Sequence, residues 1–417
     1  MKVKKNEITY TIIISGLLFF SFLPDFDTIF GGLSSYLRIA AEGASLTYGI
    51  VLTGKRRILD GFLVFFIALQ LQLLLSAFYN STEWFPFVKR GLRILAICFL
   101  IKGACKRSTI ILLKSIIMVF ILLGLINLIY RIPDHEITHV IGTGSIYYFG
   151  SDNEAVSPML LLFITSLLFW SMKGVNFLSI IGMVIPVFTA FYSQSGTGMM
   201  VYLIFIIGFI LAFVPGFRGL LERLSNAKIM MIAFGSYYLI LWGVSIAKIT
   251  FLASWINKVT GKNALTFTNR DVIWLEAMNI IRSNPIFGIG YGEGAGGNGV
   301  YVNGLYRGAH NTILQWGVNG GVITIIFFVI LLYLVFKTIE EVKFPLKYYL
   351  YLGSMVFLIA MSMENYSNGL HFLPLMAVIY YADITPYKNN FSKLFLFRRK
   401  LKKRKRLVVR YSESIRN

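Results

Sequence analysis

Acidic charge is scarce in this chain: 417 residues carry 19 Asp and Glu, and only 14% are charged at all. Water-soluble domains carry about 25%, so an ordinary soluble fold is excluded. Cysteine is nearly absent too. Cys98 and Cys105 both lie in or beside one apolar run, which excludes a disulfide framework and a C-x-x-C metal site. Four histidines leave few choices for acid–base chemistry. A cleavable signal is also missing. Lys2, Lys4 and Lys5 precede an apolar run from Ile8 to Leu23, but no small-residue cleavage site follows, so a retained first span is expected. No internal repeat stands out.

What is present is apolar length. The chain is 56% hydrophobic, with 36 Phe and 23 Tyr suited to lipid contact and interfacial belts. A spanning helix needs about 20 apolar residues. That rule places spans near 8–24, 37–53, 61–79, 88–104, 109–130, 155–172, 175–192, 197–215, 229–250, 320–336, 347–363 and 371–386. The expectation is an all-α integral membrane protein of about twelve helices. It divides into a transmembrane region 1–250, a polar loop 251–319, a second transmembrane region 320–387 and a basic tail 388–417.

Basic residues orient these spans. Lys2/Lys4/Lys5, Lys55/Arg56/Arg57, Lys106/Arg107, Lys173, Arg218/Arg223/Lys228, Lys337/Lys343 and the tail fall on one side, while Pro24–Ser35 and Phe78–Phe85 are nearly free of them. The positive-inside rule then puts both termini in the cytoplasm and 251–319 outside. The tail alone carries a net +11. Anionic headgroups, rather than nucleic acid, are its expected partner.

Two groups break the charge rule. Arg38 and Glu42 lie one turn apart inside the second span, spaced to pair and fix helix packing. Lys89, Arg90 and Arg93 cluster at the outer end of the fourth span, where cations are disfavoured. They either snorkel to headgroups or bind a lipid-linked anion.

The polar loop is the chemical part. Thr268-x-x-Asp271 reads as a capping-box-like start. Ile273, Trp274, Ala277, Ile280 and Ile281 then recur at helical spacing until Asn284-Pro285, which predicts an amphipathic helix lying on the outer membrane surface. Arg270 in its first turn joins a guanidinium to free N–H groups, a combination suited to a diphosphate. Arg282 and Arg307 are further cations of the loop. Glycines crowd Gly288 to Gly299. Gly292-x-Gly294-x-x-Gly297 matches the dinucleotide fingerprint, but no strand precedes it, and mobility or close approach to a sugar chain is the expected use. His310-Asn311-Thr312 opens a short helix running to Trp316. Histidine is a side chain suited to act as a base near neutral pH, which makes His310 the candidate base and Asn311 a candidate substrate contact. Glu364 and His371, in a later connection, are candidates to complete an acceptor site.

Three segments in series, TNRDVIW, NPIFGIGYG and AHNTILQWGVNGGVI, resemble the signature of the O-antigen ligase and O-antigen polymerase family of bacterial membrane glycosyltransferases. The resemblance is clearest over about 265–335. It implies a plasma-membrane enzyme using undecaprenyl-diphosphate-linked saccharide as donor and a saccharide acceptor, without cofactor or metal. It also implies Arg270 at the diphosphate and His310 activating the acceptor hydroxyl. A flippase and a chain-length regulator of the same route are expected neighbours. Family members often carry an arginine after a serine at the start of an earlier span. Here Gly196 stands in that place, so Arg282, Arg307, Arg90 or Arg93 replaces it, or the donor is held differently. Polymerisation of repeat units into a surface polysaccharide is the first expectation and ligation of finished glycan the second.

Two rivals come from other classes. His135-Glu136-Ile137-Thr138-His139 is a literal H-E-x-x-H, but glycines 142 and 144 shorten any helix and no third zinc ligand is evident. A flippase of lipid-linked saccharide would have a similar span count. It would place its functional charge near the bilayer midplane, whereas here the polar weight lies in a loop.

Overall fold

Long apolar runs make helices, and in this chain they set nearly the whole architecture. The computed structural model describes residues 2–23, 33–54, 58–129, 131–132, 146–149, 153–193, 195–245, 270–292, 299–302, 304–366 and 369–384. Its helices are α1 (Lys2–Ser21), α2 (Leu33–Thr53), α3 (Gly61–Tyr79), α4 (Phe85–Ile129), α5 (Val156–Lys173), α6 (Phe177–Tyr192), α7 (Gly196–Leu211), α8 (Pro215–Leu224), α9 (Ala227–Ser245), α10 (Arg270–Ser283), α11 (Thr312–Glu340), α12 (Leu346–Met363) and α13 (Phe372–Tyr381). Two small antiparallel hairpins interrupt them, β1 (Arg131–Ile132) with β2 (Ile146–Tyr147) and β3 (Val300–Val302) with β4 (Leu305–Arg307).

Each of the twelve apolar stretches falls on a helix. Five of the described helices, α3, α4, α5, α11 and α12, are long and apolar enough to cross a membrane, and a sixth crossing results if α7 and α8 are taken as one bent pair. Two expected spans, 88–104 and 109–130, lie on α4, 45 residues in which two helices meet at a kink at Ser108 (φ −169°, ψ 110°). At about 1.5 Å per residue that is roughly 67 Å of helix. The 113° bend between α7 and α8 turns α8 away.

The bundle is centred on α4, which touches α1, α2, α5, α6 and α13. Its closest neighbour is α2, and small residues make that approach possible. A Cβ at Gly49 would stand 2.4 Å from the carbonyl carbon of Phe99, and one at Gly103 would stand 2.6 Å from the Gly49 carbonyl oxygen. Close backbone contact of this kind is how apolar helices gain packing where lipid offers no hydrophobic driving force. The expected Arg38–Glu42 pair forms here at 3.8 Å, and Arg93 joins it from α4 at 3.5 Å.

A second layer holds the polar segment. Helix α3 lies along α11, and α10 packs on α11 and β3. Ile273, Trp274 and Ala277 of α10 are buried with Val300, Val302, Ala309, Leu314 and Val318 in a small core of their own. This corrects the expectation of a helix resting on the membrane surface, because its apolar face is covered by protein. The reason is Trp274, which is fully buried and donates from Nε1 to the Ala309 carbonyl at 2.9 Å.

The glycine-rich stretch also departs from expectation where it is described. NPIFGIGYG is not slack chain. Gln72, Ser76, Asn80 and Thr82 form a polar stripe down one side of α3 and its C-terminal turn, and it grips this backbone. Gln72 Nε2 donates to Ile286 O (2.8 Å) and Gly320 O (3.0 Å), Ser76 Oγ to Phe287 O and Asn319 O, and Asn80 Nδ2 to Gly288 O (3.2 Å). Thr82 Oγ1 accepts from Tyr291 N at 2.9 Å. On the other side the same backbone pairs with the break in α11, through Ile289 N to Val318 O (2.8 Å) and Val322 N to Pro285 O (2.8 Å). Gly321 sits in that break at φ +74°, and a Cβ on it would come within 2.3 Å of Ile286 O. Both the positive φ and the contact demand glycine.

Candidate functional site

The start of α10, the turn into α11 and the end of α12 meet at one carboxylate. Arg270, the first residue of α10, donates from Nη2 to Glu364 Oε1 at 3.0 Å and from Nη1 to the Met363 carbonyl. His310 Nδ1 lies 3.9 Å from the other oxygen, Glu364 Oε2. Thr197, in the first turn of α7, donates its hydroxyl to Oε1 at 3.3 Å. Glu364 thus ties together a guanidinium, an imidazole and a hydroxyl from three distant parts of the sequence. Burial alone would raise its carboxyl. The His310 ring and the charge and hydrogen bond of Arg270 outweigh that and hold it below the usual carboxylate value.

His310 is fixed by its neighbours rather than by a helix. It holds φ +43°, in the left-handed region that non-glycine residues seldom enter. On one side Ala309 is pinned by Trp274 and by Gln315 Oε1, which accepts from Ala309 N at 2.8 Å. On the other, Asn311 caps α11 and accepts from Ile313 N and Leu314 N at 3.1 Å each. Thr312 donates to the Glu364 carbonyl at 2.9 Å and accepts from Tyr366 N at 2.8 Å, locking the 364–366 turn to the α11 start. The His310 side chain remains 42% exposed, against 11% for Glu364. A buried carboxylate steers an accessible imidazole, an arrangement that leaves the ring's other nitrogen for a solvent-side partner.

Asn311 is fully buried, so its role here is capping. Its Nδ2, and Oδ1 of Asp271 beside Arg270, have no hydrogen-bond partner among the described residues.

The remaining candidates lie elsewhere. Arg282 and Arg307 are exposed, on the last turn of α10 and on β4, and among the described residues no ion pair joins either to Glu364. Arg90 and Arg93 line a separate cavity with Tyr291 and Leu370. Arg93 is bound to the Ser21 and Leu23 carbonyls at 2.9 and 2.8 Å as well as to Glu42. His371 is a packing residue, stacked on Phe22 at 5.7 Å and edge-on to Phe120, with Nδ1 3.2 Å from Ser157 Oγ. The H-E-x-x-H segment at 135–139, Thr268 and the basic tail lie outside the described residues, and among the described residues no cluster of His, Cys, Asp or Glu could hold a metal ion.

Sequence reasoning missed Thr197, Thr312 and the stripe on α3. Thr197 directly follows Gly196, the position where the family arginine would stand, so that place does border the cluster. A hydroxyl reaches Glu364 from the next residue. The stripe was visible as polar residues at 72, 76 and 80, one helical face of an otherwise apolar span.

No curated protein matches the chain. Residues 181–329, about a third of its length, match the family model described as O-antigen ligase. That stretch runs from within α6 to within α11 and includes Thr197, Arg270, His310 and the Gly321 break, while Glu364 lies beyond it. Over that stretch the chain is similar to the O-antigen ligase family, and it carries the similarity on an all-helical scaffold with several membrane-length apolar helices.

Proposed function

We propose that this protein is a polytopic membrane glycosyltransferase that joins saccharide units taken from undecaprenyl diphosphate into a surface polysaccharide, and that Arg270, His310 and Glu364 form its reaction centre. The observation that carries this reading is the Glu364 carboxylate, shared between a guanidinium and an accessible imidazole. About twelve crossings, both termini cytoplasmic and the 270–310 site outside remain the topology read from the basic residues. The kink of α4 at Ser108 falls between two of those expected crossings and supports counting them separately.

Outside the membrane no nucleotide sugar is at hand, so the donor must bring its own leaving group. The acceptor hydroxyl attacks the anomeric carbon, the bond from that carbon to the diphosphate oxygen breaks, and the diphosphate leaves with the electron pair. The hydroxyl proton passes to His310. A positioned base of this kind contributes roughly 10²–10⁴-fold. Arg270 keeps donors beyond the two that it gives to Glu364 and Met363, and these face the charge that develops on the departing oxygen. Proton removal and stabilisation of the leaving group thereby fall to His310 and Arg270. Attack opposite the leaving group inverts the anomeric centre.

The test is size chromatography of surface glycan from a strain carrying His310→Ala, beside in vitro turnover of a lipid-diphosphate-linked saccharide by the purified variant. Loss of long-chain product with single units left on the outer face supports the reading. Units trapped on the inner face would point to a flippase instead.

A further inference from the structure

We propose that α8 is an in-plane helix that docks on anionic lipid, its apolar stripe sunk among acyl chains and Arg223 and Lys228 on phosphate headgroups, in the leaflet opposite the reaction centre. The inference does not depend on the chemistry assigned to Glu364.

The ten residues PGFRGLLERL carry the pattern. Phe217, Leu220, Leu221 and Leu224 recur at i, i+3, i+4 and i+7 and form one stripe. At about 100° per residue, Arg218 and Arg223 fall on its two edges, roughly 110° to either side of its centre. Glu222 and Gly219 lie behind. The first residue is Pro215, where a helix needs no N–H. Such a helix is too short and too charged to cross, since ten residues reach about 15 Å, half of a hydrocarbon core of about 30 Å. It is also too apolar on one side for water. No residue of α8 is buried, and Phe217, Leu220 and Leu224 are 46%, 51% and 40% exposed. An apolar stripe edged by cations fits the boundary between acyl chains and headgroups.

The bundle sets the direction of that stripe. Helix α7 starts at the reaction centre, where Thr197 reaches Glu364, and its 16 residues carry the chain about 24 Å away. The 113° bend then turns α8 to run across α7. Tyr348 of α12 holds the lower part of α7, donating to Gly208 O at 3.1 Å. The Arg218 guanidinium lies 5.2 Å over the Phe344 ring, and just beyond α8 the Ala227 N–H donates to Glu340 Oε1 at 3.0 Å. Leu221 packs on the main core. These contacts take the Arg218 edge, so the Leu220 and Arg223 edge faces away from the protein. Arg223 is exposed, as is Lys228 in the first turn of α9, and among the described residues no ion pair joins either to an acid. The charge they present is complementary to an anionic leaflet.

The test places a polarity-sensitive fluorophore on Leu220→Cys or on Glu222→Cys in the full-length protein, whose own Cys98 and Cys105 are buried. The protein is reconstituted in phosphatidylcholine vesicles containing phosphatidylglycerol. Lipids bearing a nitroxide just below the headgroup are expected to quench the Leu220 probe, and iodide the Glu222 probe. Nitroxide-labelled phosphatidylglycerol should quench the Leu220 probe at about a fifth of the mole fraction that labelled phosphatidylcholine requires, the preference that one cation gives at an anionic surface. Adding Arg223→Gln/Lys228→Gln should bring the two lipids level, with the probe's depth and the melting temperature in detergent unchanged. Iodide quenching of the Leu220 probe would put α8 in water. A Leu220 probe reached by neither quencher would mean that a second copy of this chain covers the stripe. Equal quenching by both lipids before the charges are removed, or a preference that survives their removal, would leave no anionic seat. Each of these results overturns the proposal.

Discussion

The reaction-centre cluster and the cationic cavity differ in how their charge is balanced. At Glu364 a buried carboxylate answers Arg270 and His310, so the geometry holds with protein groups alone. At the cavity rim Lys89 and Arg90 form no ion pair within 4 Å among the described residues, and the nearby Glu42 is shared with Arg38 and Arg93. A balanced cluster keeps reacting groups in register, and an unbalanced one stores attraction for an incoming anion. One molecule uses both devices, on either side of the same connection.

Substitutions can break this comparison at different depths. Gly321→Val acts on the frame behind both sites. A side chain at φ +74° is strained by about 1–3 kcal/mol before the clash with Ile286 O is counted. Little monodisperse protein should be recovered from detergent, and a normal yield with an unchanged melting temperature would show that the α11 break does not position NPIFGIGYG. Arg270→Lys reaches only the balanced cluster. It keeps the charge and loses the fork, so turnover should fall by roughly 10²–10³-fold. Unchanged turnover would relegate Arg270 to anchoring α10.

Glu364→Gln sharpens the comparison through pH. The wild-type carboxyl titrates below its ordinary value, so its stabilisation is complete above the ordinary carboxylate range and drains away as pH falls through the lowered value. Melting temperature of the wild type should therefore drop on the acid side. The glutamine variant should start lower at neutral pH, by about 1–3 kcal/mol of lost charged hydrogen bonding, and lack that acid limb. Parallel curves would remove Glu364 from the centre of the cluster. Smallest of all, Arg282→Ala and Arg307→Ala sit on exposed positions and should change turnover by no more than about twofold. A larger loss would bring one of them into the site as the replacement for the family arginine.

Local pattern made much of this legible beforehand. Apolar length found the helices, the Asn284-Pro285 stop ended α10 within a residue, and His310-Asn311-Thr312 was recognisable as a helix start because asparagine caps well there. Contacts across long separations were not legible. Arg270 and Glu364 are 94 residues apart, and Gln72 reaches Ile286 across 214. The stripe on α3 announced that something polar would lie against it, yet its partner is main-chain carbonyls, which carry no side-chain signature. Glycine density read as slackness for the same reason. Whether a glycine loosens a chain or lets two chains touch depends on the neighbour, and here the neighbours are the α11 break for Gly288 and the distant end of α3 for Gly290. His371 shows the converse, a polar residue whose aromatic surroundings come from α1 and α4.

One close approach has a practical sequel. Gly292 and Gly299 meet backbone to backbone, a Cβ on the first falling 2.4 Å from the second's Cα. Both strands of chain are clasped at that neck, Gly292 just beyond the grip of Thr82 and Gly299 leading into β3. Whatever is spliced between the two glycines hangs from a clasp that already holds itself shut. A short epitope inserted there should leave turnover intact while reporting, from intact cells, which side of the membrane the reaction centre faces.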